Sequence, residues 1–154
     1  TLSSSSAASD VYKRQETGHA LFGHDGLCKN IHGHGYKLSV SLIGTPILDP
    51  SNVKSGMVID FSDLKKIIDK TIVKPFDHAT VLNVNSPHIE LADYLEKKGH
   101  KIKRVQYQPT SEMMIIDFAK KIKDELPKGL SLHHLILRET ETCYVEWFAS
   151  DQSP

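Results

Sequence analysis

The fold is decided by residues 32–43, which read HGHGYKLSVSLI. In the second half of this stretch Leu38, Val40 and Leu42 alternate with serines. Strict alternation predicts a β-strand with one buried face, because successive side chains of a strand point to opposite sides of the sheet. His32 and His34 stand two residues apart at the start of this strand, so their imidazoles are expected to point to the same side.

The rest of the chain mixes strand and helix patterns without a regular β-α-β rhythm. Three helices are expected, and their start signals are Asp60 or Ser62, Ser86-Pro87 and Pro109-Thr110. Further strands are expected over residues 102–107, 130–137 and 142–148, and Cys143 is expected to be a small core residue of the last one. This mixture favours an α+β fold with an antiparallel sheet.

Length and composition narrow the possible functions. A chain of 154 residues fits one domain, and 19 basic against 19 acidic residues leave no charge excess to attract nucleic acid. The two cysteines are too few for a disulfide framework and suit a reducing compartment. No apolar run reaches membrane-spanning length, and the N-terminus lacks the apolar stretch of a secretory signal. We therefore expect a cytoplasmic protein that binds neither nucleic acid nor membranes.

The first fifteen residues do not fit this domain. Residues 3–6 are all serine, and residues 10–15, DVYKRQ, resemble a transposase sequencing adapter translated in frame. We therefore interpret Thr1–Gln15 as a non-native leader and residues 16–154 as a single domain. The alternative is a short native polar tail.

Three histidines and a cysteine make a metal centre the leading hypothesis for the functional site. His19 can join His32 and His34 if residues 16–21 end a preceding strand and residues 22–31 form the returning loop. Three histidine nitrogens, each at roughly 2.0–2.1 Å, leave one position of a tetrahedral Zn²⁺ open, which is the pattern of catalytic zinc. Two alternatives stay open at this point. Either Cys28 closes the site as a fourth ligand of a structural zinc, or there is no metal and the histidines only form hydrogen bonds.

Six short motifs, found in order along the chain, carry a family resemblance. They are GHAL at 18–21, CKNIHGHGY at 28–36, GMVIDF at 56–61, FDHATVLN at 76–83, PTSE at 109–112 and RET at 138–140. In these motifs the chain resembles the 6-pyruvoyl-tetrahydropterin synthase superfamily over nearly all of Gly18 to Thr140. The resemblance implies the tunnelling fold, an antiparallel sheet with helices packed on one face. It also implies a trimer or homohexamer, in which sheets join edge to edge and the active site lies at a subunit contact.

The resemblance also implies roles for individual residues. The residues implied as zinc ligands are His19, His32 and His34. Cys28 resembles the catalytic cysteine, Asp77 and His78 a catalytic Asp–His pair, and Glu139 the carboxylate that anchors the pterin ring. Without the resemblance, Asp77 and His78 would be interpreted as a turn with a helix cap. Glu139 shares a strand face with Leu137, which predicts partial burial and therefore a hydrogen-bond partner.

Two enzymes of the superfamily act on the same substrate, 7,8-dihydroneopterin triphosphate. One eliminates triphosphate to give 6-pyruvoyl-tetrahydropterin. The other also releases acetaldehyde and gives 6-carboxy-5,6,7,8-tetrahydropterin, on the route to 7-deazaguanines and queuosine. The spacing from Cys28 to His32 resembles the Cys-x3-His-Gly-His form of the carboxy-forming branch, so we favour a lyase of that branch. The alternatives are the pyruvoyl-forming enzyme and, in another class, a non-catalytic zinc-binding module with Cys28 as fourth ligand.

Overall fold

The computed structural model describes residues 13–152 of the chain. Within them the strands are β1 (Lys13–His19), β2 (His32–Gly44), β3 (Ala79–Asn83), β4 (Ile102–Val105), β5 (Leu130–Arg138) and β6 (Tyr144–Phe148). The helices are α1 (Phe61–Ile68), α2 (Lys74–Phe76), α3 (His88–Lys97) and α4 (Ser111–Glu125). A π-helical segment, Asp69–Val73, joins α1 to α2. No helix in this part of the chain is long and apolar enough to cross a membrane.

Side-chain caps start α1 and α4 where the sequence predicts, and α3 begins one residue after its expected start. The Asp60 carboxylate accepts from the Ser62 amide at α1, and the Thr110 hydroxyl accepts from the Met113 amide at α4. At α3 the Ser86 hydroxyl accepts from the amide of His88. Each contact satisfies an amide that the first turn of a helix leaves without an intrahelical partner. The expected helix starts are therefore confirmed for α1 and α4.

The six strands form one mixed sheet in the order β4-β3-β1-β2-β5-β6. The pairs β1–β2, β2–β5 and β5–β6 are antiparallel, as expected, whereas β1–β3 and β3–β4 are parallel. The expectation of a wholly antiparallel sheet was therefore wrong for two pairings. The physical reason for the β3–β4 pair is its connection, because parallel neighbours need a crossover and α3 provides it.

The main core lies between one face of the sheet and the helices α1, α2 and α4. Alternate residues of β2 point into it, namely Tyr36, Leu38, Val40 and Leu42, none more than 1% exposed. Phe118 of α4 packs edge to face against Phe76 of α2, with ring centroids 4.8 Å apart. The alternate side chains that were predicted to share one face of β2 therefore pack the sheet against its helices.

The opposite face of the sheet carries α3. Val81 belongs to the main core, whereas its neighbour Leu82 packs in a second, smaller cluster with Ala20 and Ala92 of α3. Because neighbouring residues of a strand point to opposite faces, α3 and α4 lie on opposite sides of the sheet. The expectation that helices pack on one face holds for α1, α2 and α4, and α3 is the exception.

Two further expectations concern residues at the start of strands β1 and β6. Lys13 to Gln15, which were expected to belong to the leader, form the first part of β1 and pair with β2. Residues 1–12 lie outside the described residues, so the origin of the leader stays a prediction. Cys143 was expected in the core and is instead exposed. The reason is that β6 begins only at Tyr144, which leaves Cys143 in the turn after β5.

We predict that Phe118→Ala destabilises the protein by about 3–5 kcal/mol, because it opens a cavity beside Phe76 in the main core. Ile116→Ala is the matched control: Ile116 lies on the same helix and is 50% exposed, so its loss should change stability by no more than about 0.5 kcal/mol. Urea unfolding at one protein concentration, followed by circular dichroism, measures both. Equal midpoints for the two variants would contradict this packing.

Candidate active site

Strand pairing brings the three predicted histidines together. His19, the last residue of β1, lies directly opposite His32, the first residue of β2, and His34 follows on the same face. One ligand atom from each of the three lies within 4.8 Å of the other two. The Nε2 atoms of His19 and His32 are 3.0 Å apart. The convergence predicted from the His-Gly-His spacing is confirmed.

Backbone carbonyls hold two of these rings in one tautomer. His19 Nδ1 lies 2.7 Å from the Pro109 carbonyl oxygen, and His32 Nδ1 lies 2.7 Å from that of Asn30. A carbonyl oxygen can only accept, so each Nδ1 carries the proton and each Nε2 presents a lone pair. Burial lowers the pKa of His19, which keeps its imidazole neutral and able to bind a metal.

The three histidines fit a metal ion. Two Nε2 lone pairs facing each other at 3.0 Å repel unless a cation lies between them. Tetrahedral zinc separates two nitrogen ligands by ~3.3 Å, close to that distance. His34 Nε2 is also buried, and in the described part of the chain it has no hydrogen-bond partner of acceptable geometry. A bound cation would satisfy all three nitrogens, and carbonyls behind two of the rings are the usual outer support of such a site.

Glu139 follows β5 and directs its carboxylate toward the histidines. Its Oε1 lies 2.8 Å from Nε2 of His34 and 3.9 Å from Nε2 of His19. Its Oε2 accepts a hydrogen bond of 2.5 Å from the Ser111 hydroxyl at the start of α4. The side chain is 25% exposed, so the predicted partial burial and partner are both confirmed.

Tyr36 closes the floor of the site toward the core. Its ring packs edge-on against His34 and His19, with centroid distances of 5.6 and 6.1 Å. Burial raises the pKa of Tyr36, and the charge of Glu139 adds to this effect. The phenol therefore stays neutral.

Cys28 lies in a one-turn 3-10 helix, Leu27–Lys29, within the loop that joins β1 to β2. The thiol is half-buried, and the Cys28 carbonyl accepts from the Leu21 amide at 2.9 Å. Cys28 is not part of the histidine group whose ligand atoms lie within 4.8 Å of one another. The geometry therefore gives no support to Cys28 as a fourth metal ligand.

Asp77 and His78 pair with each other immediately before β3. Asp77 Oδ2 is 2.9 Å from His78 Nδ1, and Asp77 Oδ1 accepts from the Glu16 amide. Burial raises the pKa of Asp77, but the hydrogen bonds from Glu16 and His78 outweigh it and hold the pKa below its usual value. The carboxylate is thus ionised and orients the imidazole.

His78 does not join the three histidines within one chain. It lines a cleft with Glu16, Gly18, Gly33 and Thr80, strand positions that belong to the sheet face opposite His19 and His32, and His34 also borders this cleft. Its side chain is 76% exposed, and its backbone takes a left-handed conformation with φ of 57°. Such a conformation is uncommon outside glycine and is held here by the His78 amide, which donates to the Glu16 carbonyl at 2.6 Å.

Some residues that shape the site were not identified from the sequence. The Pro109 and Asn30 carbonyls orient His19 and His32, and Ser111 holds Glu139. Pro109 and Ser111 stand in the motif PTSE, for which the sequence predicts a helix start and a family resemblance but no role in the site. Every residue type has a backbone carbonyl, so the sequence does not reveal which carbonyls orient the histidines. Only the position of these residues within the motifs could have indicated the role.

The chain resembles known proteins over most of its length. Residues 10–149 match the model of a family described as 6-pyruvoyl tetrahydropterin synthase. The chain is 39% identical over 130 residues to a 6-carboxy-5,6,7,8-tetrahydropterin synthase of Haemophilus influenzae, covering 84% of this chain and 89% of the relative. It is 35% identical over 127 residues to the protein of that name from Aquifex aeolicus, covering 78% of this chain and 75% of the relative.

Solved structures share the fold. The Caenorhabditis elegans 6-pyruvoyl tetrahydropterin synthase superposes with a TM-score of 0.66 at 22% identity, covering 97% of this chain and 99% of that one. The Plasmodium falciparum 6-pyruvoyl tetrahydropterin synthase gives a TM-score of 0.61 at 19% identity, with coverages of 94% and 99%. At these identities the likeness shows the fold alone, and it confirms the α+β tunnelling fold.

We predict that His32→Ala abolishes stoichiometric metal binding. Even outer supports of a metal site are worth about 10- to 100-fold in affinity, so loss of a ligand should weaken binding by more than about 100-fold. His100→Ala is the control, because His100 is exposed and lies outside the histidine group. Elemental analysis of gel-filtered protein gives metal per chain. Full occupancy in both variants would show that the histidine group does not hold the ion.

Proposed function

We infer the function from the fact that this chain belongs to the 6-pyruvoyl tetrahydropterin synthase family. We propose that it is a zinc-dependent lyase that converts 7,8-dihydroneopterin triphosphate and water to 6-carboxy-5,6,7,8-tetrahydropterin, with loss of triphosphate and acetaldehyde. The observation that carries the proposal is the 39% identity to a 6-carboxy-5,6,7,8-tetrahydropterin synthase over 84% of the chain. The product would enter 7-deazaguanine and queuosine biosynthesis.

The second candidate is the enzyme that forms 6-pyruvoyl-tetrahydropterin from the same substrate. It is favoured by the description of the matching family. The short spacing between Cys28 and His32 supports the carboxy-forming reaction instead, as do relatives of that name at up to 39% identity. The product formed decides between the two.

Zinc is the metal we propose, with His19, His32 and His34 as its ligands. Three neutral imidazoles suit zinc and leave a coordination position for substrate. When bound, zinc polarises the substrate oxygen that it contacts and stabilises negative charge developing there. The Pro109 and Asn30 carbonyls keep the Nε2 atoms of His19 and His32 available for this role.

Cys28 and His78 are the groups we propose to move protons. A cysteine thiolate is a competent general base, and the half-buried Cys28 lies in the loop that joins His19 to His32. His78, with its Nδ1 held by the ionised Asp77, presents Nε2 to take up or return a second proton.

Glu139 is the residue we propose to anchor the pterin ring. A carboxylate can accept two neighbouring N–H groups at once, as the pyrimidine edge of a pterin presents them. Ser111 holds one of its oxygens, and the other oxygen lies beside His34. An anchor at this place would fix the ring next to the metal, so that the side chain of the substrate lies over the reacting groups.

A second copy of the chain is needed to complete the site that we propose. His78 lies on the sheet face opposite the histidine group, and its imidazole is exposed. In the described residues, β4 and β6 each pair along only one edge, so the sheet can extend into a neighbouring copy. We therefore propose a trimer or homohexamer in which His78 of one copy faces Cys28 of another.

We predict that zinc-loaded protein turns over 7,8-dihydroneopterin triphosphate and that mass spectrometry finds the 6-carboxy product with acetaldehyde. Cys28→Ala should keep its zinc and lose about 10²- to 10⁴-fold in turnover, since it removes the proposed base. Cys143→Ala is the control and should behave as the parent, because that cysteine is exposed.

Three results would contradict parts of this assignment. A 6-pyruvoyl product would move the protein to the other reaction. Loss of zinc in Cys28→Ala would make Cys28 a ligand, in favour of the non-catalytic zinc-binding module. Absence of turnover with zinc bound and the oligomer intact would exclude both enzymes.

We predict that Cys28→Ala and His78→Asn, each inactive alone, regain activity when unfolded together and refolded as a mixture. Asn is chosen because it tolerates the left-handed backbone at position 78. If each site takes Cys28 and His78 from different copies, ~25% of the sites in an equal mixture are intact. Light scattering confirms assembly. No recovery in an assembled mixture would mean that no site combines these two residues from different copies.

A further inference from the structure

The loop that carries Cys28, residues 20–31, is supported by the core only at its start, where Ala20 and Leu21 are buried. Its other larger apolar side chains are Phe22, Leu27 and Ile31, which are 46%, 85% and 51% exposed. Beyond Leu21, burial of apolar surface therefore does little to fix the conformation of this loop, and its hydrogen bonds must fix it instead.

Hydrogen bonds within the loop set its shape, and two of them involve residues next to or at Cys28. The Leu21 amide donates to the Cys28 carbonyl at 2.9 Å, and the Asn30 side chain donates to the Leu27 carbonyl at 3.1 Å. Both bonds join residues of the loop itself. They do not fix the position of the loop relative to the histidine group.

Gln108 supplies a contact from outside the loop. Its Nε2 donates to the Phe22 carbonyl at 2.9 Å, across 86 positions of sequence. Among residues 13–152, the other outside side chain that donates to this loop is His32, which bonds the Asn30 carbonyl and is itself in the histidine group. The Phe22 ring also packs edge-on against His88, with centroids 5.2 Å apart. The loop is thus held at its start by Gln108 and at its end by His32.

Gln108 is joined directly to a support of the metal centre. The next residue, Pro109, is buried, and its carbonyl accepts from Nδ1 of His19. The Gln108 carbonyl accepts from the Thr110 amide at 2.8 Å, and Thr110 caps α4. Gln108 therefore contacts the loop that carries Cys28, and the next residue, Pro109, contacts His19.

We propose that Gln108 is a positioning residue that holds Cys28 in place relative to His19. The inference rests on the proposed function, because it takes Cys28 as the catalytic base. A misplacement of about 1 Å can cost about 10²-fold in rate. A single hydrogen bond that fixes a loop can therefore affect turnover more than stability.

The test compares Gln108→Glu, which keeps the size of the side chain and removes the donor, with Gln108→Ala. Both should lower kcat by about 3- to 10-fold, the effect of one lost hydrogen bond on a rate. KM should stay within about twofold and metal content should not change. Alkylation of Cys28 by iodoacetamide, quantified on its own peptide by mass spectrometry, should become several-fold faster. Gln106→Glu is the matched control, because Gln106 is exposed and two residues away.

Two results would overturn the proposal. One is a kcat and a Cys28 alkylation rate that match the parent in both variants. The other is a lower kcat that comes with lost metal and a lower unfolding midpoint, since that pattern marks a merely structural residue. The alkylation comparison needs no substrate. If the parent protein does not turn over the pterin, the proposed function fails, and the alkylation rates still decide whether Gln108 holds the loop.

Discussion

The pairing of His19 with His32 across the β1–β2 ladder is the constraint on which the rest of the site depends. Side chains directly opposite on antiparallel strands have Cβ atoms about 4.5–5.5 Å apart, so the register alone brings two imidazoles within reach of one ion. A slip by one residue would turn His32 and His34 to the opposite face. The register is held by the buried side of β2 farther along, where Leu38, Val40 and Leu42 enter the core. One strand therefore both builds the core and aims the histidines of the group.

The site departs from the rules that the rest of the fold obeys. Along β2 the buried face changes from aliphatic residues through Tyr36 to His34 and His32, so polar nitrogens stand where apolar side chains would stabilise the sheet. Burying lone pairs that face one another costs free energy unless a cation binds them. Metal binding would repay that cost and couple to the stability of the fold. A local conflict of this kind is expected at a functional site and seldom elsewhere.

The parts of this structure that could be predicted from sequence are those set by neighbouring residues. The alternation of β2, the caps of α1 and α4 and the His-Gly-His spacing each act over a few positions, and each was confirmed. The parallel pairing of β3 with β4 and the place of α3 depend on how a crossover packs, which no local pattern encodes. The Ser111–Glu139 contact likewise depends on where α4 lies against β5. The prediction that Cys143 lies in the core was wrong for a simpler reason, because β6 begins one residue after it.

The two faces of the sheet give the strongest physical reason to think that one chain is not the working unit. The hydrogen-bonded backbone of a sheet separates the side chains on its two faces. His19 and His32 point to the face of the main core, and His78 lines a cleft on the other face. If His78 takes part in the chemistry, its imidazole must act at the metal centre of another copy. The exposure of His78 and its fixed orientation by Asp77 are what such an arrangement requires, since the side chain is ordered before a partner arrives.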